Sequence, residues 1–129
     1  MADNETDVKQ TSLKRRIRRF YACLNRRDFA SCFAMIDPRV RDNPSSVTLL
    51  QYETALSRFL DSCGSIKVNE LDVTHLGEPN KLYEGRDFAV GKTFWTDKSG
   101  ECRAFSERWV REGKTWYTRN TGFVVTTTT

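Results

Sequence analysis

One histidine in 129 residues, three prolines, and four cysteines without a Cys-x-x-Cys pair leave few ways to build a metal or redox centre. Cys23, Cys32, Cys63 and Cys102 are scattered, and His75 is the sole imidazole, so a zinc cluster or dithiol motif lacks its ligands. No metal and no cofactor are therefore expected. The cysteines read as reduced, mostly buried thiols of a cytoplasmic protein. No apolar run is long enough to span a bilayer, and the opening MADNETDVKQ is polar and acidic rather than signal-like, so no membrane partner is expected.

The most conspicuous feature present is a cluster of cations. Lys14, Arg15, Arg16, Arg18, Arg19, Arg26 and Arg27 crowd into one short segment of a chain whose net charge is +4. Such a cluster raises an anionic partner by its field alone. The same segment carries Leu13, Ile17, Phe20, Tyr21 and Leu24 at the spacing of one buried stripe, which predicts a helix from Ser12, as N-cap, to about Arg26. The arginines then form its solvated outer arc, and with few aromatics there to stack on bases, nucleic acid is not expected as a partner.

Residues 1–10 have almost nothing to bury and predict a disordered lead-in. Asn25-Arg26-Arg27-Asp28 is a turn, with Asp28 capping a second, short helix to about Ile36 through Phe29 and Phe33. Asp37-Pro38 ends it, and the two prolines of 37–47 argue against regular structure there. A third helix runs from Thr48, its cap, to Gly64, lined by Leu49, Tyr52, Leu56, Phe59, Leu60 and Cys63. Glu53 falls inside that apolar arc. Residues 65–76 read as a strand in which Ile66 and Val68 alternate on one phase and Leu71 and Val73 on the other, so a bulge near Asn69-Glu70 is expected. Residues 77–81 (GEPNK) are its turn, and 126–129 a frayed tail. One domain spans 11–125.

The chain is organised around 87–125, three runs rich in Phe, Trp, Val, Thr and Tyr separated by DKSG and EGK, which predict a three-stranded antiparallel meander. With a four-residue loop at 97–100, Thr96 pairs with Glu101 and Val90 with Glu107. With a two-residue loop at Glu112-Gly113, Trp109 falls opposite Trp116. Phe88, Val90, Lys92, Phe94, Arg103, Phe105, Glu107, Trp109, Trp116, Thr118 and Asn120 then share the face turned to the helices. The opposite face, with Trp95, Tyr117, Arg119 and Phe123, is apolar enough for a homodimer through the sheet. The class expected is α+β, three N-terminal helices on the concave face of a strongly curved, mainly antiparallel sheet.

This layout resembles the nuclear transport factor 2-like superfamily, which includes SnoaL-like polyketide cyclases, ketosteroid isomerases and scytalone dehydratase. The residues that carry the resemblance are Leu24-Asn25-Arg26-Arg27-Asp28-Phe29, similar to the family's first helical junction, and the run from Arg108 to Tyr117 (RWVREGKTWY), similar to its last hairpin. The resemblance implies a cone with cystatin-like topology, whose helices close over the sheet to leave a conical pocket. In enzyme members that pocket holds an acid/base pair. No such pair can be matched here position by position, and fold alone does not carry function.

The chain's own polar residues then supply the candidates. Glu107 lies among aromatics and could act as a general base or acid, with His75 as a second candidate catalytic group. Tyr52, Glu53, Lys92, Phe105, Trp109, Trp116 and Asn120 are the expected pocket lining, Tyr52 or Asn120 donating to a developing oxyanion. The alternative for Glu107 is an ion pair with Lys92 or Arg103. Three functions follow: a domain binding a small hydrophobic or aromatic molecule, a dimeric protein-interaction module, or an isomerase, cyclase or dehydratase working by proton transfer without metal.

Overall fold

The computed structural model describes residues 2–43, 45–80 and 83–120, and the side chains of 7–43, 45–74 and 83–120. The helices are α1 (Ala2–Asn25), α2 (Phe29–Ala34), α3 (Pro38–Arg41) and α4 (Leu49–Cys63). The strands β1 (Lys67–Asn80), β2 (Arg86–Thr96), β3 (Cys102–Glu112) and β4 (Thr115–Thr118) form one antiparallel sheet in the order β1-β2-β3-β4. The class is α+β as expected, although the sheet is not strongly curled.

The apolar stripe of α1 behaves as its spacing requires, with Leu13, Ile17, Phe20, Tyr21 and Leu24 all buried. The helix begins at Ala2, ahead of the cap expected at Ser12 and within the expected disordered lead-in. Ser12 instead docks the helix on the sheet: its hydroxyl donates to the Lys9 carbonyl and accepts from Trp116 Nε1 at 3.0 Å. Lys9 pairs with Asp87 at 2.9 Å.

At the other end of α1, the Asn25 side chain takes both backbone groups of Ile66, at 2.8 Å each, as a neighbouring strand would. Asp28 caps α2 as expected, accepting from the Ser31 amide and hydroxyl. The helix stops at Ala34 rather than Ile36, because Ile36 forms a parallel bridge with Thr118. Residues 38–41, expected to be irregular, make a single turn of helix, since Asp37 caps it and Pro38 at its first position needs no donor. α4 opens with the full capping box of Thr48 and Gln51 and closes at Gly64, whose φ is +72°. Leu49, expected in its buried stripe, is 39% exposed.

The bulge in β1 is where it was expected, between Val68 and Glu70, and it turns Val68, Leu71 and Val73 toward one face. Residues 77–80, expected as a turn, stay in the strand, Gly77 opposite Phe88 and Asn80 opposite Arg86. The first meander turn differs by one residue from the four-residue loop expected, so the pairing is shifted. Asp97 and Glu101 still bond across it, Gly100 sits at φ +85°, and the Asp97 carboxylate accepts from Ser99 and Glu101. Thr96 therefore pairs with Cys102 and Gly91, not Val90, with Glu107. A one-residue shift moves every β2 side chain to the other face. Ala89, Gly91, Thr93 and Trp95 point to the helices, whereas Val90, Lys92 and Phe94 do not. The second loop is Gly113-Lys114, which places Trp109 opposite Thr118 rather than Trp116 and leaves the faces of β3 and β4 as expected.

At Gly91 α1 packs tightly on the sheet: a Cβ there would lie 2.7 Å from Ile17 Cδ1. At the far end of the sheet Asp37, wholly buried, receives two bonds of 2.8 Å from Arg86 and a third of 2.8 Å from Arg119. Arg86 also bonds Glu84 and the Tyr83 carbonyl. Burial works to raise the Asp37 pKa, but the bonds from Arg86 and Arg119 outweigh it and hold the carboxyl below its ordinary value. The backbone beside it completes the joint, Asp37 donating to the Thr118 carbonyl and Thr118 to the Met35 carbonyl.

Two consequences are measurable by urea denaturation. Asp37→Ala removes the buried, bidentate partner of Arg86, leaving it only the exposed carboxylates of Glu84 and Glu112, and is expected to lower stability by about 3 kcal/mol. Gly91→Ala overpacks the contact with Ile17 and is expected to cost about 1–3 kcal/mol, with Ile17→Val in the same chain restoring part of the loss.

Candidate functional site

A glutamate in the middle of a strand that faces a helical layer is paired or protonated, because an isolated buried carboxylate is too costly to keep. Glu107 is 6% exposed on the inner face of β3. Its neighbour across the ladder on β2 is Gly91, which offers no side chain, so the space beside it is filled by Ile17 from α1 and by the Trp109 ring. The Thr118 hydroxyl donates to Glu107 Oε2 at 2.8 Å and in turn accepts the Asn120 backbone N–H at 3.0 Å. Glu107 Oε1 and Trp109 Nε1 are both buried and meet the full geometry of a hydrogen bond with no described residue, although the indole still acts on the Glu107 carboxylate.

Burial pushes the Glu107 carboxyl up to about 7, against the opposing pull of Thr118 and Trp109. Near neutrality the group is thus poised between its two forms, the condition under which a side chain takes or returns a proton most effectively. Two tyrosines sense its charge. Burial, then the Glu107 charge, raises Tyr21 well above its ordinary value while its hydroxyl engages Thr93; burial likewise raises Tyr52, with Cys32, Glu107 and Tyr21 adding to the shift. Both phenols stay protonated and can act as donors, not bases.

The residues expected at a site divide accordingly. Glu107, Tyr52 and Trp109 come together. Phe105 is next to Glu107 on the same face, half-buried opposite Thr93. Trp116 is buried farther along, under Ser12. Asn120 reaches the site through its backbone N–H to Thr118. Lys92 is on the opposite face, its ammonium 5.1 Å from the Phe94 ring centre, and Arg103 pairs with Asp97 and Glu101, so the expected ion pair to Glu107 does not form. Glu53 lines a surface cleft of about 350 Å³ with Phe29, Leu50 and Arg58, away from the sheet. His75 lies in β1, and its side chain is outside the described residues.

Tyr21 and Thr118 belong to the site without having been singled out from the sequence. The signal for Tyr21 is a hydroxyl carried inside an otherwise apolar stripe. Of the face expected to form a dimer, Trp95 is buried on the inner side, Tyr117 is half-buried with Arg16 5.8 Å from its ring, Arg119 is tied to Asp37, and Phe123 is outside the described residues.

No group of three or more His, Cys, Asp or Glu able to hold a metal ion occurs among the described residues, and none of their helices is long and apolar enough to cross a membrane. Compared with protein-family models, characterised proteins and solved structures, the chain matches none.

The charge on Glu107 has a calculable effect on folding. The unfolded chain releases this proton near pH 4.5 and the folded chain holds it to about 7. Its stabilising contribution is therefore full below pH 4.5 and is lost as pH rises through 7, a change on the order of 3 kcal/mol. Glu107→Gln is expected to remove this decline, leaving the variant the more stable protein at about pH 8 and near wild type at about pH 4.5. Denaturation curves at the two pH values check it; a gap between the proteins that does not change with pH counts against a buried, proton-holding Glu107.

Proposed function

We propose that the chain is a nuclear transport factor 2-like domain whose inner sheet face holds a small hydrophobic or aromatic molecule, with Glu107 as the polar group that meets it. What carries this reading is the pair of buried, incomplete atoms, Glu107 Oε1 and Trp109 Nε1, in a surround of Trp109, Tyr52, Tyr21 and Ile17. Native interiors seldom leave such atoms unmet. A ligand that displaced the Ile17 side chain packed there would place a hydroxyl between them, donating to the carboxylate and accepting from the indole. An apolar body with a single hydroxyl is thus the chemistry of choice. The helical layer over an antiparallel sheet supports the family's α+β class, and the free thiols of Cys23, Cys32, Cys63 and Cys102 fit a reducing cytoplasm.

A catalytic version of the same reading rests on the Glu107 pKa of about 7. Glu107 would take a proton from a carbon acid or return one to a leaving hydroxyl, and Tyr52 would donate to the oxyanion that develops. That is isomerase, cyclase or dehydratase chemistry on a hydrophobic substrate.

A thermal-shift screen of hydroxylated aromatic and alicyclic compounds, run on wild type and Glu107→Gln, tests the proposal. A ligand of the folded state at 100 times its Kd stabilises by about 2.7 kcal/mol, a rise of several degrees in Tm. The expected result is a compound class that shifts the wild type and shifts Glu107→Gln much less. Equal shifts in both proteins, or none in either, overturn Glu107 as the group that meets a ligand.

A further inference from the structure

The cations of α1 are a separate feature, independent of Glu107. Residues 8–27 contain eight Lys and Arg and no Asp or Glu. Thirteen cations against 17 acids remain elsewhere, so the rest of the chain is net −4 and the positive charge of the protein is concentrated on this one helix and its end. Three of the eight are held by ion pairs or a backbone carbonyl: Lys9 pairs with Asp87, Arg16 donates to the Trp116 carbonyl at 3.0 Å, and Arg27 pairs with Asp61; the Arg26 guanidinium donates only to Cys23 Sγ, at 3.5 Å. The other five, Lys14, Arg15, Arg18, Arg19 and Arg26, form no ion pair among the residues whose side chains are described, and all four arginines are exposed.

Their arrangement is unfavourable for the isolated helix. Lys14 and Arg18, and Arg15 and Arg19, are like charges four residues apart, which face one another on a helix and repel. From Arg15 to Arg26 the row extends for about 17 Å along the axis. An anionic partner would remove the repulsion, and the side chains indicate which kind. Four of the five are arginines, whose planar fork matches phosphate oxygens in a way that a lysine does not. The whole apolar stripe of α1 is buried in the core, so no apolar face is left to enter a bilayer. The exposed arc carries no aromatic for stacking bases, which argues against single strands, but contact with a duplex backbone needs none.

We propose that the outer face of α1 binds the phosphate backbone of double-stranded nucleic acid without reading its sequence. Four to five cations meet phosphates on one side of the duplex, and condensed counterions are released as they do.

Fluorescence anisotropy of a labelled DNA duplex of about 24 base pairs, titrated with the full chain from about 50 to 200 mM KCl, tests it. The expected result is binding at the low-salt end, with log K falling against log salt at a slope of about −4, and a slope shallower by about 2 in R15E/R19E together with an affinity loss of tenfold or more. R15E/R19E should melt no lower than wild type, because like-charge repulsion is relieved; if it fails to fold, R18Q/R26Q gives the same two readings. The proposal is overturned by no binding to the duplex at low salt, by equal binding of wild type and both variants, or by arginine-dependent binding to phosphatidylserine vesicles with none to the duplex.

Discussion

The fold is closed by the charge pair between Asp37 and Arg86. The carboxylate is wholly buried and the guanidinium nearly so, and each is the other's principal counter-charge, with Arg119 and Glu84 in support. The pair fixes more than itself. Asp37 caps α3, and its backbone and that of Met35 bond Thr118 on the edge of the sheet, so the connection between α2 and α3 is fastened to β4. Thr118 is then the residue whose hydroxyl bonds Glu107. An ion pair at one end of the sheet therefore orients the hydroxyl that bonds the buried glutamate in its middle.

Glu107 differs from Asp37 in how its burial is compensated. Asp37 gathers three charged bonds and a backbone N–H, and its pKa falls; Glu107 gathers one hydroxyl, and its pKa rises. Two acids in one small protein thus mark two uses of burial. The first is a fastening that stays ionised across the physiological range. The second holds a proton loosely, and Gly91 opposite it keeps the ladder free of a counter-charge while letting Ile17 exclude water.

Much of this was legible in the residues themselves. The stripe Leu13, Ile17, Phe20, Tyr21, Leu24 follows helical periodicity and is buried throughout; the phase change between Val68 and Leu71 required a bulge, and it is there. Glu107 was visible as an acid between aromatics on an alternating strand. What was not legible depended on parity or distance. The side of β2 hung on whether Asp97 belongs to a loop or closes it, a matter decided by its carboxylate binding Ser99 and Glu101, and the wrong parity put Lys92 beside Glu107 and Trp95 outside. Asp37 read as a helix stop, since its partners lie 49 and 82 residues away and no local pattern reports them.

Those separations bear on how the chain is made. During synthesis Asp37 leaves the ribosome 49 residues before Arg86, an interval of a few to about ten seconds at ordinary elongation rates. During it α4 is added to α1 and α2, while the carboxylate at position 37 has no Arg86 to enter the interior with and the apolar stripe of α1 has no complete sheet to cover it. Commitment to the native state falls late, when β2 delivers Arg86 and the last strand brings Arg119.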